Sequence, residues 1–77
     1  MLNWKKHIES NPEILYGKPI IKKTRIPVDL ILEKLATGDS HRDLLDAYPN
    51  ISDKDINACL LFAAFSINNE VIFSIAS

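Results

Sequence analysis

The chain is short of the residues that make proteins loose or stapled. Only two of its 77 residues are glycine and one is cysteine, Cys59. A lone cysteine excludes an internal disulfide framework, and so few glycines leave no glycine-rich phosphate loop and no flexible linker. Long hydrophobic runs are missing too. The longest, Ala58 to Phe65, has eight residues, against the roughly 20 that a bilayer-spanning helix needs. The opening Met-Leu-Asn-Trp-Lys-Lys-His lacks the apolar run of a signal peptide, so the expectation is a soluble, cytoplasmic protein with no membrane partner. Neither sign of charge dominates: the formal net charge is -1, which argues against holding nucleic acid by bulk attraction alone. Nor do ligand or triad patterns occur. His7 and His41 stand far apart, and Cys59 has no evident base beside it. No metal, cofactor or enzymatic activity is therefore expected.

What is present is a globular composition, 47% hydrophobic and 25% charged, in a length that suits one domain over residues 1–77. A chain this small buries only about 60% of its unfolded surface, so a second copy or a partner is expected to supply further burial, with a homodimer as the default. The charge is unevenly laid out. Residues 1–25 hold six basic and two acidic side chains, and residues 26–77 hold three basic and eight acidic.

Along the chain, Asn3–Ser10 reads as a turn of helix ended by Asn11-Pro12. Ile14-Leu15-Tyr16 and Ile20 to Ile26 read as two β-leaning runs around Gly17-Lys18-Pro19. Together they make a β-hairpin or extended arm over residues 13–27, which must lean on the helices or on another arm. Pro27, then Val28, Ile31, Leu32 and Leu35 at helical spacing, then Gly38, predict a first helix. Ser40 with Asp43 predicts a partial capping box for a second helix ending before Tyr48-Pro49. Ser52 with Asp53 and Asp55 predicts the start of a third, running to about Asn68. The helical core is thus residues 28–68, and the apolar tail, residues 69–77, extends the helix or pairs as a strand. Three helices with short connections make a mainly α fold of the helix-turn-helix kind.

The string Gly17-Lys-Pro-Ile-Ile-Lys-Lys-Thr-Arg-Ile-Pro-Val28, followed by a helix ending in Gly38, then Ser40, Leu44-Leu45, Tyr48-Pro49, Ile51-Ser52, Asp55-Ile56 and Ala58, resembles the bacterial family known as domain of unknown function 433. Its pattern is G-x-P-x-I-x-G-T-R-I-P-V, a helix, G-x-S, a leucine pair, Y-P and a final helix. The likeness covers about residues 11–66. It implies a homeodomain-like helix-turn-helix protein, regarded as a VapB-like antitoxin and often encoded beside a PIN-like nuclease toxin. One position departs from the pattern: Lys23 stands where glycine is usual. If that glycine serves a positive backbone dihedral, Lys23 must turn differently or bear a small strain.

Among candidate functional residues, Lys18, Lys22, Lys23 and Arg25 form the main basic cluster. On an extended arm, alternation would aim Lys23 and Arg25 at phosphate or an acidic partner, with Lys22 on the opposite face. The plain alternatives are an edge strand guarded by lysines, or Arg25 bracing Asp29 or Asp55. Lys54 and Asn57 are secondary candidates for DNA, where asparagine reads adenine well, but Asp53 and Asp55 bring negative charge to the same helix end. The third helix is apolar nearly all round. Ile56, Leu60 and Ala63 are expected in the core, and Leu61, Phe62 and Phe65, with Ile72 and Phe73 of the tail, are expected to meet a second copy or a toxin. Cys59 is expected to be a buried small hydrophobe, Trp4 an anchor for the N-terminal segment and Tyr48 a packing residue. Two functions follow: a DNA-binding antitoxin that neutralises a PIN-like nuclease and represses its own operon, or a dimeric interaction module that binds no DNA.

Overall fold

A computed structural model describes residues 2–69, in which three helices stand beside a two-stranded antiparallel hairpin at the N-terminal side. The strands are β1 (Ile8–Ser10) and β2 (Pro19–Ile21), and the helices are α1 (Val28–Ala36), α2 (His41–Ala47) and α3 (Asp53–Asn69). The bounds of α1 and the start of α2 follow their local chemistry. α1 follows Pro27, whose extended backbone feeds the first turn. It closes at Gly38, whose φ of +108° lets the Asp39 N–H reach the Lys34 carbonyl at 3.0 Å, the left-handed stop at which glycine has no steric penalty. At the start of α2 the capping box is complete. Ser40 Oγ accepts from the Asp43 N–H at 3.1 Å, and the Asp43 carboxylate accepts from the Ser40 N–H at 2.9 Å. That second bond, above all, holds the Asp43 pKa below its ordinary value.

The hairpin is built from other residues than the sequence pattern predicts. Ile8, Glu9 and Ser10 pair with Ile21, Ile20 and Pro19, so the segment expected to be helical past residue 7 is a strand, and only Trp4–Lys6 forms a single 3-10 turn. Ile14–Tyr16 is not a strand. Leu15, Tyr16 and Gly17 all take positive φ, at 50°, 58° and 83°, in a turn that Gly17 and Lys18 fasten to the carbonyls of Ile14 and Leu15. The β-leaning side chains of this run were outweighed because a strand needs a ladder, and Ile8 and Ile21 offered one with their side chains buried in the core.

The core gathers Ile8, Ile21, Val28, Ile31, Leu44, Ile51, Ile56, Ala58 and Cys59 from every element. Burying each large aliphatic side chain is worth about 1.5–3 kcal/mol, so the hairpin is held by the helices and not by its own ladder. Trp4 anchors the N-terminal turn as expected, with its ring 5.0 Å from Phe62 and 5.1 Å from Phe65. Tyr48 packs against the core beside the α2–α3 connection. Cys59 is fully buried. Burial first, and the charge of Asp55 second, push its thiol up to about 12.

α3 presents one arc to this core and another to solvent. Ile56, Ala58 and Cys59 are buried and Phe62 and Ala63 half-buried, whereas Leu60 is 43% exposed. The expectation that Leu60 is core is therefore corrected: at 3.6 residues per turn it lies about 100° past Cys59, beyond the arc that the other elements cover.

Candidate nucleic-acid interface

The basic residues sit on a turn, not on a strand. After β2 the chain reverses through Lys22–Arg25, with the Ile21 N–H donating to the Ile26 carbonyl at 3.0 Å and Ile20 bridging Pro27. Thr24 fastens the reversal from inside. Its hydroxyl donates to the Ile21 carbonyl at 2.7 Å and accepts from the Ile26 N–H at 3.0 Å. Lys23 has a φ of +65°, so it occupies the left-handed conformation for which glycine is the unstrained choice. The predicted alternation, with Lys22 opposed to Lys23 and Arg25, does not apply, because alternation belongs to extended backbone and this segment turns.

Lys22, Lys23 and Arg25 are exposed and have no side-chain partner among the described residues. Lys18 differs. Its Nζ lies 3.1 Å from Asp29 Oδ2 in an exposed pair, so one of the four expected free cations is partly neutralised at the head of α1. The bracing of Arg25 by Asp29 or Asp55 does not occur: Asp29 pairs with Lys18, and Asp55 bonds to His7 and the Ser52 N–H.

At the start of α3, one carboxylate carries two bonds. Asp55 Oδ2 accepts from the Ser52 N–H at 3.0 Å, and Oδ1 lies 2.8 Å from His7 Nδ1, 48 residues away. The carboxylate is acceptor-only, so the ring nitrogen donates. Asp53 lies 3.3 Å from His41 Nδ1. Both acids that would repel phosphate thus face a histidine. Beside them Lys54 and Asn57 line a cleft of about 510 Å³ with Leu2, Asn3, Lys6 and His7. Linear pattern gave no sign that Lys6 and His7 would join them, since only the packing of the N-terminal turn on α3 makes the contact. The signal that was available is Ser52-x-x-Asp55, which fixes the carboxylate that His7 meets.

The expected partner face is partly laid bare. Leu61 and Phe65 are exposed at 37% and 43%, and Leu60 and Ile67 extend the patch. Phe62 is half-buried, packed against the core and against Trp4. Ile72 and Phe73, and the expected helical or strand tail, lie outside the described residues. Among the described residues no helix is long and apolar enough to cross a membrane, and no group of His, Cys, Asp and Glu could hold a metal ion.

Residues 8–63 match the protein family described as a protein of unknown function, DUF433. The chain belongs to that family. The DUF433 segment runs from β1 through the basic turn and most of α3, so Trp4, Lys6 and His7 precede it. Uncharacterized protein y4eO of Sinorhizobium fredii (strain NBRC 101917 / NGR234) is 32% identical over 56 residues, which are 73% of this chain and 25% of that protein. The crystal structure of a DUF433 member from Anabaena variabilis ATCC 29413 superposes with a TM-score of 0.75 at 26% identity, covering 79% of this chain and 60% of that one. This chain thus spans about a quarter of the length of the first relative and three-fifths of the second.

Proposed function

We propose that this DUF433 chain is a small DNA-binding antitoxin, a homeodomain-like helix-turn-helix module that docks on phosphate through its basic turn and covers a PIN-like nuclease with the exposed apolar face of α3. As a homodimer it represses its own operon. One observation carries the DNA half of this reading: three cations within four residues have no ion-pair partner among the described residues and stand on a turn fastened by backbone and Thr24 bonds. Unneutralised cations meet phosphate without first breaking an ion pair, and the contact releases its counterions. Lys18 contributes less because Asp29 competes for it, and Lys54 and Asn57 form a second, separate patch.

The test is a gel shift with DNA from upstream of the chain's own gene across a salt series. Binding should weaken steeply with salt, and the Lys22→Gln/Lys23→Gln/Arg25→Gln variant should flatten the salt slope by about three, one for each phosphate contact removed. No binding at any salt sinks the DNA half. The exposed Leu60, Leu61 and Ile67 favour a second reading, a dimeric interaction module without DNA binding. That reading takes over if co-expression with the neighbouring gene product yields a complex while DNA is ignored.

A further inference from the structure

The cleft between the N-terminal turn and α3 gathers positive and amide groups without a free countercharge. Lys6 and Lys54 are exposed, and neither has an ion-pair partner among the described residues. Asn3 and Asn57 complete its polar wall, although Asn3 Oδ1 is already taken by the Lys5 N–H at 3.1 Å. Asp55, the acid that meets the lining residue His7, is engaged on both oxygens, by His7 and by the Ser52 N–H. Asp55 therefore secures one wall of the cleft, and neither of its oxygens pairs with Lys6 or Lys54. Two ammonium groups brought to one concavity repel each other, and an anion with several acceptor oxygens relieves that repulsion while using the amide donors.

We propose that this cleft is a phosphate seat, with Lys6 and Lys54 as the charge partners, the Asn57 amide as a donor, and the His7–Asp55 pair holding the N-terminal turn against α3. Lys6 and His7 lie ahead of the DUF433 match, so the site is a property of this chain's own N-terminal turn. The Lys22 N–H bonds to the His7 carbonyl at 2.8 Å, which places the basic turn next to the cleft along one edge. A polynucleotide backbone can then run from one to the other. That polymer arm rests on the DNA reading above; the seat itself does not.

The experiment titrates the whole chain with inorganic phosphate and, separately, with a 20-base-pair duplex, following backbone amide shifts and duplex affinity against salt. Phosphate should move the amides of Lys6, His7, Lys54 and Asn57 first. Lys6→Gln/Lys54→Gln should weaken phosphate about tenfold and flatten the duplex salt slope by about two, while Lys6→Arg/Lys54→Arg keeps both. Shifts centred on Lys22–Arg25, or spread evenly over every lysine, overturn the seat. So does a glutamine variant that folds and binds phosphate within twofold of the parent. If phosphate maps to the cleft while the duplex never binds, the DNA reading fails and the seat serves a free phosphate or phosphomonoester. If the basic-turn variant loses duplex while the cleft variant loses neither duplex nor phosphate, the seat fails and the DNA reading stands.

Discussion

The basic turn and the first turn of α3 handle charge in opposite ways. On the turn, Lys22, Lys23 and Arg25 crowd together and none is paired among the described residues, while the backbone beneath them is tied down by the Thr24 hydroxyl. On α3 the acids are paired: Asp55 holds His7 and the Ser52 N–H, and Asp53 faces His41. The same kind of local bond therefore serves two purposes. In one region it secures the backbone so that side chains remain available, and in the other it consumes the side chains to join distant parts of the fold. Removing a charge should cost stability in the second region and binding in the first.

The sharpest way to break that contrast is Asp55→Ala, which strips α3 of a cap and His7 of its partner. It should cost about 1–3 kcal/mol and lower the midpoint of thermal unfolding by several degrees, with the Trp4 environment loosening in near-ultraviolet dichroism. An unchanged midpoint would show that the acid is not structural. Next, the buried thiol gives a control for how tightly α3 is covered just beyond that cap. Because the Cys59 pKa is raised from 9.0 to about 12, the folded state keeps a proton that the unfolded chain loses. Stability is full below about pH 9 and declines as pH rises towards 12, and a disulfide reagent at neutral pH should label Cys59 only at the rate of unfolding.

Lys23→Gly sharpens the comparison from the other side. Relief of the left-handed strain outweighs the added freedom of the unfolded chain, for a gain of up to about 1 kcal/mol, while under the proposed DNA reading affinity should fall by one phosphate contact. A chemical-denaturation midpoint that drops instead would mean that the lysine side chain packs. Neutralising the whole turn with Lys22→Gln/Lys23→Gln/Arg25→Gln should leave stability within about 0.5 kcal/mol, readable in the same denaturation curves. Smallest of all is the acid response of α2. The Asp43 pKa is lowered, so its capping contribution is present above the ordinary carboxylate range and fades as pH falls through the lowered value; amide exchange at Ser40 and Asp43 should quicken there before the core opens.

The helices were legible because their signals are local. Ser40-x-x-Asp43, Gly38 and the spacing of Val28, Ile31 and Leu35 act within one or two turns, and the observed bounds follow them. The hairpin and its Ile20–Ile21 strand were legible but the partner strand was not, because strand propensity at Ile14–Tyr16 says nothing about which partner is available, and the partner at Ile8–Ser10 lies across an intervening loop. For the site, residue types on the turn identified the cations. Pairing sorted them: Lys18 went to Asp29, and Lys6 joined Lys54 because Trp4 on Phe62 and Phe65, with His7 on Asp55, seats the N-terminal turn on α3.

What the sequence determined by itself, then, is where α1 and α2 start and stop, where α3 starts, and that positive charge gathers before α1, since each depends on neighbours a few positions apart. The tertiary structure alone decided which strand pairs with which, which of the cations keep their charge unshared, and which arc of α3 stays wet. Those outcomes depend on contacts between residues tens of positions apart, where the free energy of burial, and not local preference, selects the partner.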